Sequence, residues 1–366
     1  MVEPASRQVI RVGTECSGME PIPWIFKAMG LLRRFRLSFS CEKDPACRRL
    51  MRQNRLAWQA GSKQKRGPLV YKDITKRKAS RLPAVDVYVA GFPCQPFSSM
   101  GLRQGEADKH GRGNVFGHVC AAIDAKRPRA FVLENVKGLV TQHRRTFDNI
   151  LAALRGIGGD AYDVTWRVLN TCEHGVPQNR ERVYIVGILR RNLRNNFCWP
   201  KPLPPVSLAG FLDNDYRGRG EARLALARFR ARSSPGLQRR LGALMQTPRA
   251  LRLGDEVFDD MVPCVFDVDG STPHIMRDRS PCITRTRGGT RFYLPSRGRR
   301  MSLKEQLRLQ GLPAQYLDYR EGISDRQLGM MIGNAMSGNV LGRLLPRVLL
   351  ACGLVGSPAE VRTPWR

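Results

Sequence analysis

Residues 85–98 read VDVYVAGFPCQPFS. An alternating β-branched run predicts a strand, and the Gly-Phe-Pro turn that follows lifts Cys94 out of its end. Pro93 fixes its own φ and biases Phe92 toward extended geometry, while Pro96 stops the chain from continuing as strand or winding at once into helix. The pattern places Cys94 on a stiff, exposed elbow, where a nucleophile would be put. A lone cysteine is more often a small buried hydrophobe, so the elbow gains weight only from the rest of the chain.

Outward from that stretch, short apolar runs alternate with helical patterns. Strands are predicted near Val9–Val12, Leu37–Cys41, Val85–Ala90 and Ala130–Leu133, with another before Asp73; helices are predicted near Ile22–Met29, Pro45–Asn54 and Val115–Lys126, the last capped by Asn114. A βαβα rhythm implies a mainly parallel, twisted sheet with helices on both faces. Ligands of such sheets bind outside the carboxyl ends of the strands. Glu42, Asp73, Cys94 and Glu134 all follow predicted strands there. After Leu189 the rhythm fails: PKPLPPVS at 200–207 reads as a linker, and eight arginines with one acid, Glu221, occupy 217–240. Patterning resumes at Ser302. The expected organisation is a catalytic domain at 1–189, an irregular nucleic-acid-binding domain at 190–279, and a segment at 280–366 that returns to the first.

Lysine and arginine number 62 against 31 acids, a formal charge of +31 that favours a polyanionic partner. No apolar run is long enough for a membrane span, and the first residues carry no signal-peptide pattern. The ten cysteines form no CxxC pair, which argues against a disulfide framework or a zinc site. A protein that is not secreted, in the nucleus of a eukaryote or the cytoplasm of a bacterium, and monomeric, is the expectation.

Three further clusters follow the elbow in order: FVLENVKGL at 131–139, QNRERVYIVGI at 178–188 and GNAMSGNV at 333–340. With GFPCQPFS, and with CEKDP at 41–45, KDIT at 72–75 and SLKEQLRLQGLP at 302–313, the chain resembles the cytosine-C5 DNA methyltransferases along nearly its whole length. The resemblance implies a Rossmann-like, doubly wound α/β fold with a smaller target-recognition domain, S-adenosylmethionine as methyl donor and double-stranded DNA as partner. It implies that Cys94 adds to C6 of a flipped-out cytosine, that Glu134 engages N3 and the exocyclic amine, and that Arg180 and Arg182 bind the base carbonyl and a nearby phosphate. Gly18, Glu20, Glu42, Asp73, Ile74, Pro93 and Asn334 fall at cofactor-contacting positions, with Glu20 meeting the ammonium group. Gln178 and the arginines 228, 230 and 232 are the expected DNA-side residues, with Gln178 buttressing its loop and Asn135 orienting it. Guanidinium forks suit phosphates and guanine edges.

The match is poorest at residues 14–21, TECSGMEP, where the family usually has a glycine-rich Asp-Leu-Phe-x-Gly-x-Gly-Gly segment: only Gly18 of three glycines survives. Cys16 and Lys43 stand where aromatics are usual. Three readings therefore stand side by side: a DNA cytosine methyltransferase, a tRNA cytosine methyltransferase of the same family, and a non-catalytic nucleic-acid binder with the same fold. The tRNA branch typically carries Pro-Pro-Cys where this chain has Phe92-Pro93-Cys94, which favours DNA.

Overall fold

The computed structural model of the chain describes residues 8–59, 61–62, 64, 66–93, 115–216, 218–268, 273–287, 292–318 and 320–365. Cys94, Pro96, Asn114 and Arg217 lie outside the described residues. The chain divides into two compact units, one of residues 1–169, 181–201 and 340–366, the other of residues 170–180 and 202–339. These boundaries differ from those expected at 189/190 and 279/280. The return to the first unit comes at Val340, some way into the segment read as returning from 280, and the QNRER motif is split between Arg180 and Glu181.

The first unit is built on a seven-stranded sheet of order β3-β2-β1-β4-β5-β7-β6. Its strands are β1 (Ile10–Glu15), β2 (Phe35–Cys41), β3 (Leu69–Tyr71), β4 (Val87–Ala90), β5 (Ala130–Val136), β6 (Tyr162–Asn170) and β7 (Glu181–Leu189). Strands β1 to β5 pair in parallel and β7 runs antiparallel to β5. The order reverses between β1 and β4, the topological switch point where such sheets open a crevice for ligands. Strand β4 is buried at all four residues and β5 at six of seven, as expected of parallel strands covered on both faces. Gly13 and Gly187 are packing glycines: a Cβ there would sit 2.3 Å from the Phe39 ring and 2.1 Å from the Phe131 ring.

Helices α1 (Ile22–Ala28), α2 (Pro45–Gln59), α3 (Val115–Lys126), α4 (Gly138–Thr141) and α5 (Arg144–Gly156) connect the strands. In α5 the buried residues Phe147, Ile150, Leu151 and Leu154 recur at i, i+3, i+4 and i+7, one apolar stripe packed into the sheet's core cluster. Each such side chain contributes about 1.5–3 kcal/mol by leaving water, so a charge at Phe147 would undo the helix's docking. Strand β5 runs three residues past Leu133, through Glu134, Asn135 and Val136, because β7 pairs with it along its full length.

The second unit is more regular than its weak periodicity suggests. It contains helices α6 (Arg219–Ala231), α7 (Pro235–Met245), α8 (Pro248–Leu253), α9 (Leu303–Leu309) and α10 (Asp325–Asn334), and α11 (Gly338–Ala351) begins in it and continues into the first unit. An antiparallel sheet of order β11-β10-β8-β9 uses β8 (Cys264–Asp267), β9 (His274–Arg277), β10 (Phe292–Leu294) and β11 (Arg299–Arg300). Ser234 caps α7, which buries Leu237, Leu241 and Leu244 against a core holding Phe266 and Tyr293. Phe229 of α6 stacks on Tyr293 at 4.4 Å between ring centroids. The large apolar residues of α6, Leu224, Leu226 and Phe229, are set among arginines and do not all follow one helical spacing, so the helix gives little signal in the sequence. Where patterning does resume, Ser302 opens α9 with a reciprocal capping box to Glu305.

Candidate active site

At the switch point, β1 ends in a buried ion pair on one face and a buried hydroxyl cluster on the other. Successive strand residues point to opposite faces, so Glu15 and Thr14 diverge. Glu15 takes two 2.6 Å bonds from the Arg77 guanidinium and one from the Tyr88 hydroxyl. Arg77 also donates to the His118 carbonyl at 2.9 Å. Burial pushes the Glu15 carboxyl up, against the pull of Arg77, and Glu15 in turn holds the guanidinium charged. The sequence reading did not find this triad; a glutamate closing an otherwise apolar strand was its only signal.

On the other face, Thr14 and Ser40 are register partners across β1 and β2. Their hydroxyls donate to Glu20 Oε2 at 2.6 and 2.7 Å, and Thr14 lies 2.8 Å from the Ser17 hydroxyl. Glu20 is 5% exposed. Burial, opposed by the hydroxyl bonds, raises its pKa to about 7. Glu20 thus does not face solvent as a ligand for an ammonium group, the role expected of it: at φ 57° its side chain turns into the protein. Cys16 (φ 52°) and Gly18 (φ 57°) also adopt left-handed geometry. For the two non-glycine residues this costs about 1 kcal/mol or more each, so the surrounding bonds must over-determine the turn.

At Gly18 a Cβ would meet nothing within 4 Å, which leaves open space over the loop. Its N–H donates to Glu42 Oε2 at 2.8 Å, and Asp44 N–H donates to Glu42 Oε1 at 2.8 Å. Asp73 Oδ1 accepts from the Thr75 backbone and hydroxyl at 2.9 and 2.8 Å, and Lys43 stands 3.8 Å from Oδ2. Burial opposes ionisation of Asp73, but the Thr75 bonds and the nearby lysines win and lower its pKa. Ile74 is buried and Pro93 exposed. Two acids at strand ends beside an open glycine turn have the acceptor chemistry for ribose hydroxyls and an adenine amine, so these residues fit S-adenosylmethionine.

Glu134 and Arg182 meet across the β5–β7 ladder. Arg182 stands opposite Val136, which puts its guanidinium on the diagonal to Glu134, 3.2 Å from Oε1. Asn135 donates from Nδ2 to the Phe92 carbonyl at 3.0 Å and accepts the Val136 N–H. The strand carrying the acid therefore also fixes the last buried residue before Pro93 and Cys94.

Two residues expected on the DNA or the base are instead internal to the second unit. Gln178 is fully buried, donating to the Leu309 carbonyl at 2.7 Å and accepting the Ile283 N–H at 3.0 Å; it is a buttress. Arg180, 2% exposed, donates to the carbonyls of Ile283 (2.7 Å), Gly333 (3.3 Å) and Ala335 (2.9 Å). It grips the chain on both sides of Asn334, the exposed last residue of α10. Both lie in a buried approach to a strand, where side chains must satisfy backbone groups rather than reach out.

The arginine cluster also divides. Arg219 and Arg223 face Asp259 and Asp255 in ion pairs. Arg228 and Arg232, four residues apart on one face, are exposed; Arg230 lies around the helix from them and is exposed too.

The family model for C-5 cytosine-specific DNA methylase matches residues 16–349. The chain belongs to the C-5 cytosine-specific DNA methylase family. It is 33% identical to the type II methyltransferase M.NgoBI of Neisseria gonorrhoeae over 277 residues, 75% of this chain and 77% of that one. It is 30% identical to M.SsoII of Shigella sonnei over 76% of this chain and 67% of that one. Among solved structures, a putative DNA modification methyltransferase from an E. coli prophage aligns with TM-score 0.61 at 16% identity, covering 93% of this chain and 98% of that one. Spodoptera frugiperda DNMT2 aligns with TM-score 0.57 at 18% identity over 93% and 99%. These last two establish the fold alone, a methyltransferase-type Rossmann-like architecture. The family's activity is DNA cytosine-5 methylation, and the chain is an enzyme of that class.

Proposed function

We propose that the chain methylates C5 of a flipped-out cytosine in double-stranded DNA through a covalent bond from Cys94 to C6. The observation that carries the reading is the Glu134–Arg182 pair on β5 and β7, with Asn135 of the same strand holding the Phe92 carbonyl two residues before Cys94. C5 of cytosine is a weak nucleophile. Addition of the Cys94 thiolate forms the S–C6 bond and moves the C5–C6 π pair onto C5. Glu134 holds a proton at N3 and receives the exocyclic amine, neutralising charge that builds on the ring. Arg182 keeps Glu134 in place and offers its remaining N–H donors to the base carbonyl. The pair on C5 forms the bond to the methyl group; the C5 proton then passes to water, the C5–H bond pair re-forms the C5–C6 double bond, and the S–C6 bond breaks to expel the Cys94 thiolate.

S-adenosylmethionine would supply the methyl group as an electrophilic carbon on a sulfonium. Gly18, Glu42, Asp73 and Ile74 are the residues that would hold it. Extrusion of the base from the duplex costs a few kcal/mol; phosphate contacts from exposed arginines such as Arg228 and Arg232 offset it.

A DNA duplex carrying 5-fluorocytosine tests the covalent step, because fluorine at C5 cannot leave as a proton does. The parent protein is expected to form a denaturation-resistant complex with it in the presence of cofactor, and Cys94→Ser is expected to form none. A parent protein that methylates DNA but never yields that complex would refute the covalent route.

A further inference from the structure

In the loop after β1, this chain has lost two of the three glycines that its family uses to bring backbone close to the cofactor, yet the turn keeps left-handed geometry at Cys16, Gly18 and Glu20. Something other than glycine must hold it. The only carboxyl in the turn, Glu20, is turned inward onto hydroxyls from three places: Thr14 on β1, Ser17 in the turn itself and Ser40 on β2. Ser17 is tied onward, its N–H and hydroxyl reaching the Cys41 carbonyl at 3.2 and 3.3 Å. Glu20 N–H closes back on the Ser17 carbonyl at 2.9 Å. One buried carboxyl thus joins two strands and both ends of the turn.

We infer that Glu20 is a positioning residue: its buried carboxyl, acting through Thr14, Ser17 and Ser40, fixes the cofactor-facing turn in place of the missing glycines. The inference rests on the reading of this turn as the S-adenosylmethionine site. Glu20 itself does not touch the cofactor; it sets where Gly18 presents its open face.

Such a device carries a signature that inert packing lacks. Three hydroxyls and the Glu42 carboxylate act on Glu20. The helix that follows, α1, buries Ile22–Phe26, none of them charged, and its charged residue Lys27 is exposed. The Glu15–Arg77 pair lies on the opposite face of β1. A carboxyl whose folded pKa is raised stabilises the fold below its ordinary range and loses that contribution as pH rises through about 7. Amide protection of the turn in the free protein should therefore fall across that window. The cofactor carries a net positive charge that favours the ionised carboxyl, so by linkage its affinity should rise with pH over the same window, on the order of tenfold for a one-unit displacement of the Glu20 titration.

The test uses the full chain, as parent, Glu20→Gln and Ser40→Ala. Calorimetry gives the Kd for S-adenosylmethionine at about pH 6, 7 and 8, and hydrogen exchange, corrected for intrinsic rates, gives the protection of residues 14–20. In the parent, Kd should fall about tenfold from pH 6 to 8 and protection should show a midpoint near 7. In Glu20→Gln, which keeps the shape without the titration, both should be flat. Ser40→Ala removes one donor to the carboxylate and should move the midpoint upward, which keeps the test informative if Glu20→Gln folds poorly. Identical pH profiles in parent and Glu20→Gln, or an unmoved midpoint in Ser40→Ala, would overturn the inference. A parent that binds no cofactor at any pH, yet shows the protection midpoint lost in Glu20→Gln, would retire the cofactor reading and leave the positioning role of Glu20 standing.

Discussion

Replacing Arg77 with methionine keeps most of the side chain's length and apolar stem but removes the charge that faces Glu15. The two side chains are 1% and 0% exposed, so neither can turn to water when the other is gone. The loss comprises both bonds to the Glu15 carboxylate and the one to the His118 carbonyl. Removing one partner from a buried pair costs about 3–5 kcal/mol, most of it from the charge left behind. That charge can be titrated away. With Arg77 absent, burial is no longer opposed by the guanidinium, so the pKa of Glu15 climbs further above the unfolded value; the variant is then least handicapped at low pH and progressively more so as pH rises. All five tryptophans, Trp24, Trp58, Trp166, Trp199 and Trp365, belong to the first unit, so tryptophan fluorescence during urea unfolding reports on the unit that holds the pair. The expected destabilisation of Arg77→Met is about 3–5 kcal/mol near pH 8 and clearly smaller near pH 5, and the double variant Glu15→Gln/Arg77→Met should recover most of it. A loss below about 1 kcal/mol, or one equal at both pH values, would refute the reasoning.

Arg180 and Arg182 should separate cleanly by assay. Arg180→Leu strands three backbone carbonyls and should destabilise the second unit by about 2–4 kcal/mol in chemical denaturation, whereas Arg182→Lys keeps a cation without the fork and should cost at least tenfold in kcat/KM with little change in Tm. Neutralising Arg228 and Arg232 together should flatten the salt dependence of DNA binding by about two units of slope, and neutralising Arg219 and Arg223, already paired with Asp259 and Asp255, should leave the slope nearly unchanged in filter-binding titrations.

The parts of the molecule legible in the sequence are those set by local rules. The helix Val115–Lys126 has the bounds its apolar spacing predicts, and β4 ends at Ala90 where the Gly-Phe-Pro turn begins. The acids Glu42, Asp73 and Glu134 could be placed because a parallel sheet gathers strand ends. Side-chain direction was not legible. Gln178 and Arg180 look like surface polar residues until the carbonyls of Leu309, Ile283, Gly333 and Ala335, more than a hundred residues away in the chain, come to meet them. Glu20 reads as an acid at a helix start, and only the left-handed turn sends it inward. The second unit hid its order for a related reason: arginines interrupt the apolar spacing of α6, and the stacking of Phe229 on Tyr293 that holds the helix joins residues far apart in sequence.

The central claim is methyl transfer to C5 of cytosine in DNA. Incubating the protein with duplex DNA and S-adenosylmethionine labelled in the methyl group, then digesting the product to nucleosides and separating them by mass, tests it most directly. The account requires the label in 5-methyldeoxycytidine, abolished by Cys94→Ser. Label in an N-methylated base, label in tRNA with none in DNA, or full activity in Cys94→Ser would contradict it.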